Sequence, residues 1–169
     1  MPMIDVFVPP GALTPQAEHD LVNKVTREMI RFEGLDPDDP DAQAVTWAFL
    51  HHAAVFVGGA PAACPHYRVI VSLPEGLMTS ARVQDVVSVV TGLVLSAEQG
   101  GWDPDPSRVW VLPLDVPEGR WGAGDRVVSL REVVRFARGG SDEEAQETAD
   151  RWLTASRSER QIPPDTNNT

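Results

Sequence analysis

The sequence predicts an α/β (α+β) fold in which two repeated β-α-β units form one four-stranded sheet, with both helices on one face. Two observations predict it. Each half of the chain alternates strand-like and helix-like patterns, and the pattern of the first half returns after 65 residues. The 169 residues, 42% of them hydrophobic, are enough to bury one good core.

The first unit begins with a strand at residues 4–8, whose side chains alternate between two faces. A Pro-Pro-Gly break follows at residues 9–11. Thr14 and Pro15 then predict a helix start, because threonine caps a helix and proline suits its first position. Apolar residues recur every four positions and predict one buried helix face: Ala17, Leu21, Val25 and Met29.

The second unit repeats the first at an offset of 65 residues. The matched pairs are Val69 with Ile4, Val71 with Val6, Leu73 with Val8, Gly76 with Gly11, Met78 with Leu13, Thr79 with Thr14, Val86 with Leu21, Val87 with Val22 and Val90 with Val25. The repeat predicts a helix over residues 83–97, although valine alone favours strands.

Each unit continues into a further strand, at residues 45–49 with 55–57 in the first half and at residues 108–112 in the second. Right-handed crossovers then place both helices on the same face of the sheet. The other face carries large apolar side chains, among them Trp47, Phe49 and Trp110. Their exposure predicts packing against other copies of the chain.

We divide the chain at residue 138. Residues 1–138 form the repeated domain, with repeat one at 2–60 and repeat two at 66–128, and residues 139–169 form an acidic C-terminal helix and a flexible tail. Ser141, followed by three acidic residues, resembles a helix N-cap. We therefore expect a helix over residues 142–157.

Composition restricts the partners. A formal net charge of −11 disfavours nucleic acid and anionic membranes, which it would repel, so a small molecule or another protein chain is expected. The single cysteine, Cys64, fits a reducing compartment, and the N-terminus lacks a signal-peptide pattern, so the cytoplasm is expected. No metal site is predicted, since the adjacent His51 and His52 point to opposite sides of an extended chain and are expected in a solvated turn.

Several motifs occur together in a recognisable order. They are a Met-Pro start, Leu13-Thr14-Pro15 at the first helix, the internal duplication, the segment Val-Trp-Val-Leu-Pro-Leu-Asp-Val-Pro at residues 109–117, and Trp121-Gly122-Ala123-Gly124. Over about residues 2–128 the chain resembles the tautomerase superfamily. Within it, the chain is most similar to long, duplicated members such as cis-3-chloroacrylic acid dehalogenase.

The resemblance implies a homotrimer with an apolar pocket at the amino-terminal proline, Pro2, once Met1 is removed. It implies no cofactor. A prolyl secondary amine can take a proton from a carbon beside a carbonyl and return it elsewhere. A free α-amino group has an ordinary pKa of about 7.7–8.0, which burial lowers, so it can serve as a base near neutral pH.

The chain departs from the family pattern at the partner residues. Positions that hold arginines, a histidine, a tyrosine and a water-activating glutamate in relatives are here Ala12, Trp110, Pro74, Leu77, Met29, Leu112 and Ala123. Hydrolytic dehalogenation needs a carboxylate clamp and a base for water, so that activity is not expected. Besides Pro2, one position of the family pattern is retained. The aromatic Trp121 matches a phenylalanine that makes the pocket apolar in a short relative.

Four other residues are candidates for substrate binding. Tyr67 is the repeat equivalent of Pro2, and its hydroxyl would bind a substrate or fill the second site. Arg68 is a strand cation that alternation points away from the face of Tyr67. Arg120 and Arg126 flank Trp121, where each would meet an anionic substrate or simply balance an acidic surface.

Two functional hypotheses follow. The first is a tautomerase-like enzyme that uses Pro2 as general base and acid on a small carbonyl or enol compound. The second is a catalytically inactive trimeric protein of the same fold, retained for binding or assembly.

Overall fold

The computed structural model describes residues 1–98 and 101–161. In chain order its elements are β1 (Met3–Val8), α1 (Pro15–Phe32), α2 (Pro40–Ala44), β2 (Trp47–His52), β3 (Phe56–Val57), β4 (Ala60–Pro61), β5 (Tyr67–Pro74), α3 (Ser80–Ala97), β6 (Val109–Val116), β7 (Gly122–Ala123), β8 (Arg126–Val127), α4 (Leu130–Arg138) and α5 (Asp142–Gln161). A short 3-10 helix, Pro106–Arg108, precedes β6.

The main sheet has the four strands that the duplication predicts, and their order is β2-β1-β5-β6. β1 runs parallel to β2 and β5 runs parallel to β6, so each unit is a β-α-β crossover. The units meet where β1 and β5 pair in antiparallel register, with Ile4 opposite Val71 and Val6 opposite Val69. Repeat-equivalent residues exchange partners there, which makes the two units related by an approximate two-fold axis.

Helices α1 and α3 begin with the same kind of cap. The Thr14 hydroxyl accepts a hydrogen bond from the Ala17 amide at 3.2 Å, and the Thr79 hydroxyl accepts one from the Arg82 amide at 3.4 Å. These bonds satisfy amides that a helix N-terminus leaves unpaired. The cap predicted at Thr14 is confirmed, and its repeat equivalent Thr79 caps α3 in the same manner.

The core lies between the helices and one face of the sheet. Matched residues of the two units are fully or almost fully buried in it: Ile4, Val6, Val8, Leu21 and Val25 from the first, and Val69, Val71, Leu73, Val86 and Val90 from the second. The other face is open in the single chain, where Trp47 is 61% and Trp110 69% exposed. The predicted placement of both helices on one face is confirmed.

Three strand predictions need correction. The strand predicted at residues 45–49 runs from Trp47 to His52. Residues 55–57 do not join the main sheet, because Gly58 and Gly59 both adopt positive φ and turn the chain back into the β3–β4 hairpin. The strand predicted at residues 108–112 instead runs from Val109 to Val116. It passes through Pro113 because β6 is an edge strand, where a missing backbone N–H is tolerated.

The C-terminal part packs onto the core. The unpredicted helix α4 starts at a capping box formed by Ser129 and Glu132. α5 extends to residue 161 instead of 157 and is held by buried Glu75, which accepts hydrogen bonds from Arg157 and Arg160. The Arg157 hydrogen bond lowers the pKa of Glu75 to about 2. The predicted tail at residues 162–169 lies outside the described residues.

No helix among the described residues is both long enough and apolar enough to cross a bilayer.

Candidate functional site

A cavity of about 440 Å³ opens at the amino-terminal end of β1. Pro2 and Trp121 face it together, with Arg120 beside them. The other lining residues are Met1, Met3, Ala44, Val45, Trp47, Val116, Gly122, Ala123 and Gly124. We call this cavity the proline pocket. Most of its lining is apolar, which suits a small organic ligand.

The loop that carries Trp121 is fixed by its own hydrogen bonds. The Val128 amide donates to the Trp121 carbonyl at 2.8 Å, and the Arg120 amide donates to the Pro117 carbonyl at 2.9 Å. Between them, β7 and β8 form a two-stranded hairpin that turns at Gly124, whose φ is positive. Trp121 is therefore held beside Pro2 by the β6–β8 connection.

Pro2 is buried and anchored at the sheet edge, where its carbonyl accepts a hydrogen bond from the Trp47 amide at 3.2 Å. Its nitrogen is joined to Met1 in the full chain. The Met1 ammonium contacts the Glu33 carboxylate at 2.6 Å, and the Glu33 side chain is 4% exposed. Burial lowers the pKa of the ammonium and raises the pKa of Glu33, while the ion pair opposes both shifts.

A second cavity, of about 630 Å³, lies at the equivalent end of β5. Tyr67 and Arg68 line it, with Phe7, Phe56 and Trp110 among its apolar walls. We call it the tyrosine pocket. Tyr67 lines this cavity as Pro2 lines the proline pocket, at the corresponding end of the second unit.

The Tyr67 hydroxyl is engaged in a buried network. It donates to Glu98 Oε1 at 2.8 Å, and Arg108 donates to both Glu98 oxygens at 2.6 Å. Arg108 and Glu98 are only 5% and 6% exposed. Burial, followed by the Glu98 hydrogen bond, raises the pKa of Tyr67. With its one proton committed to Glu98, Tyr67 stays protonated and mainly fills its site.

The three candidate arginines go to different places. Arg120 lines the proline pocket. Arg68 lies on the open face of the sheet, opposite to the buried Tyr67, and its guanidinium stacks on the Phe7 ring at 4.0 Å. Arg126 lines neither of the two pockets and pairs with Glu132.

His51 and His52 end strand β2 and do not form the solvated turn expected for them. Because strand side chains alternate, His51 Nε2 reaches Asp5 at 2.7 Å on one face and His52 Nε2 reaches Glu18 at 2.8 Å on the other. Within residues 1–98 and 101–161, no group of three or more His, Cys, Asp or Glu side chains is arranged to hold a metal ion.

Sequence reasoning missed the two buried carboxylates. Glu33 directly follows α1 and Glu98 directly follows α3, and the two residues are 65 positions apart, which is the offset of the repeat. Each accepts a hydrogen bond from a residue at or just before the first strand of its unit, from the Met1 ammonium in one case and from the Tyr67 hydroxyl in the other. The 65-residue offset between Glu33 and Glu98 is the sequence signal that could have indicated both residues.

The fold is shared with solved structures whose sequences differ widely. A structure titled "Q0 fused 4-OT wild type symmetric trimer" is 22% identical, covers 75% of this chain and 94% of its own, and has a TM-score of 0.59. Pt0534 inactivated by 2-oxo-3-pentynoate is 17% identical over 75% and 94% of the two chains, with a TM-score of 0.60.

A macrophage migration inhibitory factor from Toxoplasma gondii is 14% identical over 75% of this chain and 99% of its own, with a TM-score of 0.57. No family model and no curated protein sequence matches this chain. The structural likenesses show that the chain has the fold of tautomerase-superfamily proteins, as its motifs indicate. At these identities they show the fold alone.

Proposed function

We propose that the chain is a tautomerase-like enzyme in which Pro2, freed by removal of Met1, moves a proton on a small carbonyl or enol compound. The observation that supports this most is the proline pocket, where Pro2 and Trp121 line one largely apolar cavity at the start of β1. An apolar wall favours the neutral, basic form of an amine. The structural likeness to 4-OT and migration inhibitory factor structures supports the same class.

The proton balance of the reaction is simple. For ketonisation of an enol, the Pro2 ammonium gives its proton to the carbon of the C=C bond, and the enol oxygen becomes a carbonyl as it loses its own proton to water. For the reverse reaction, the neutral amine takes the proton from the carbon beside the carbonyl, and the carbonyl oxygen takes a proton from water to become the enol hydroxyl. Arg120, at the exposed side of the pocket, would bind an anionic group of the substrate.

We also propose that the chain assembles as a homotrimer. The open face of the sheet carries Trp47, Phe49, Trp110, Leu112 and Leu114, all at least 40% exposed in the single chain. Exposed large apolar side chains in this number on one face of a sheet are normally covered by another chain. Since Trp47 also lines the proline pocket, a neighbouring copy would complete its outer wall.

One observation favours the alternative, a protein of this fold without turnover. The Met1 ammonium has a buried partner in Glu33. A chain that keeps Met1 has an amide at Pro2, and an amide nitrogen has no basic lone pair. Such a chain would bind or assemble without proline catalysis.

Three measurements separate the two functions. Intact mass reports whether Met1 is removed, and light scattering reports the number of subunits. An ultraviolet assay with phenylenolpyruvate then compares the wild type with Pro2→Ala and with the control Pro10→Ala, which changes an exposed proline outside the proline pocket. We expect Pro2→Ala to lower kcat/KM by about 10²–10⁴-fold and the control to leave it unchanged. Equal rates in Pro2→Ala and the wild type would exclude proline catalysis.

A further inference from the structure

The carboxylate of Glu33 is buried in an otherwise apolar place. It lies in a small cavity roofed by α4 and α5, whose other lining residues are Met1, Leu35, Leu77, Val133, Val134, Phe136, Ala137 and Trp152. The cation that contacts it is the amino terminus. A buried carboxylate without a cation is costly and tends to take up a proton instead.

The backbone fixes Glu33 at this point. Its amide donates to the Met29 and Ile30 carbonyls at the end of α1, both at 3.2 Å, and Gly34 then turns the chain with a positive φ. The side chain is therefore aimed at the start of β1 by the helix end. Glu98 occupies the same place after α3, where its backbone is extended and its amide donates to the Leu95 carbonyl at 3.4 Å, and its side chain reaches Tyr67.

The two units differ in the cation that pairs with the buried carboxylate. Ala48 lies opposite Ile4 and Val111 lies opposite Val69, so the residue equivalent to Arg108 in the first unit is Val45. Glu98 thus has a permanent guanidinium partner, whereas Val45 offers Glu33 none. The first unit uses the amino terminus in that role.

When Met1 is removed, the nitrogen of Pro2 becomes the amino-terminal amine in place of the nitrogen of Met1. Three bonds join successive backbone nitrogens, which places them less than about 4 Å apart. The Pro2 nitrogen therefore lies within roughly 4–6 Å of the Glu33 carboxylate after a small adjustment, and at that separation an opposite charge stabilises an ammonium.

We propose that Glu33 is the counter-ion of the freed Pro2 amine, a positioning residue that orients the amine and opposes the loss of its proton that the apolar wall of the pocket favours. This inference rests on the proposed function. Its consequence for specificity is that a substrate carboxylate is repelled from the Glu33 side of Pro2. The substrate would place its carbonyl or enol carbon there and any anionic group towards Arg120, on the side that lines the proline pocket.

The charged groups around this pair are few among the described residues. Arg120 shares the proline pocket with Met1 and Pro2. Arg138 of α4 stacks on Trp152, which lines the Glu33 cavity, at 4.7 Å, and Arg82 of α3 stacks on Phe32, next to Glu33, at 5.2 Å. Both are held against aromatic rings.

The test is a titration of Pro2 that does not require turnover. Protein labelled with [15N]proline and shown by intact mass to lack Met1 has one prolyl amine, whose nitrogen chemical shift follows its protonation. We expect Glu33→Gln to lower the pKa of this amine by about one unit or more, a tenfold change in its acid constant. The control Glu28→Gln, on the helix that Glu33 follows but partly exposed and paired with Arg31, should shift the pKa of the amine by less than about 0.3 units.

An unchanged Pro2 pKa in Glu33→Gln, or an equal shift in Glu28→Gln, would overturn the counter-ion role. If Glu33→Gln does not fold, the side-chain 13C signal of Glu33 is followed in the wild type. A Glu33 signal that shifts at the pH where Pro2 loses its proton supports the pairing. A Glu33 signal that does not shift at that pH overturns it. Failure of the proposed function looks different, since it appears as retained Met1 by mass or as full activity of Pro2→Ala.

Discussion

The proline pocket and the tyrosine pocket are built on one plan and differ in their cation. In both, a carboxylate at the end of the long helix, Glu33 or Glu98, reaches the start of the first strand of its unit. Glu98 is neutralised by Arg108, which cannot give up its proton at ordinary pH. Glu33 is neutralised by an amine, and an amine can give up its proton near neutral pH.

This difference shows how a duplicated unit separates stability from chemistry. The Tyr67–Glu98–Arg108 network closes one end of the sheet with fully paired buried groups. The other end has Val45 in place of the arginine, which leaves room for the proline pocket and a titratable nitrogen. The comparison predicts that changes at the tyrosine pocket alter unfolding, and that changes at the proline pocket alter turnover.

The largest effect is expected from Arg108→Met, which leaves Glu98 buried with Tyr67 as its remaining hydrogen-bond donor and removes the donors to the Pro65 and Asp103 carbonyls. Breaking a buried ion pair from one side costs about 3–5 kcal/mol. The loss in the free energy of unfolding is measured by urea unfolding of the variant and the wild type at equal protein concentration. The matched control Arg126→Gln breaks an exposed pair and should cost less than about 1 kcal/mol. Similar losses in both variants would contradict a structural role for the network.

The second effect is a pH dependence of the same network. Hydrogen bonds from Arg108 lower the pKa of Glu98, so the folded state binds its proton more weakly than the unfolded chain does. The stabilisation is therefore complete above about pH 4.5 and is lost as the pH falls through the folded-state pKa. Glu98→Gln should destabilise the protein at pH 7, and the deficit should shrink in unfolding curves measured below pH 4.5. A deficit that does not change with pH would show that Glu98 acts through packing.

Much of the fold was predictable because the repeat constrains each element twice. The valines of α3 alone would suit a strand, but their match to Leu21 and Val25 settles the helix. The β3–β4 hairpin was not predicted. Its turn depends on two glycines at positive φ, and the pattern of hydrophobic residues does not indicate such a turn. α4 was missed since its nine residues form a short pattern just after the duplicated region.

The site was predictable in its apolar part. The motif order indicated Pro2 and Trp121, and the structure places them in one cavity. Glu33, Glu98 and Arg108 were not predicted because charged residues at helix ends and strand starts are usually solvated, and only packing shows that these three are buried. Their burial depends on neighbours far away in sequence, such as Trp152 above Glu33.

A smaller effect is expected from Tyr67→Phe. The change removes one hydrogen bond to Glu98 and keeps the ring, so it should cost about 1 kcal/mol in the free energy of unfolding. Phenylenolpyruvate turnover, which we assign to the other pocket, should stay within about twofold of the wild type, a difference of about 0.4 kcal/mol in activation free energy. A large loss of kcat without loss of stability would instead place chemistry in the tyrosine pocket.

The smallest effect tests which arginine serves the proline pocket. Arg120 lines that pocket from an exposed position, so a contact between its guanidinium and the carboxylate of phenylenolpyruvate would be partly screened by water. We expect Arg120→Gln to raise KM about threefold to tenfold with little change in kcat, because the charge contributes equally to binding the substrate and the transition state. Arg126→Gln, whose cation is already paired with Glu132 outside the pocket, should leave KM within about twofold. Since Arg120 is exposed, a KM increase that weakens in high salt would confirm that charge carries the effect, and equal KM values for the two variants would exclude Arg120 from substrate binding.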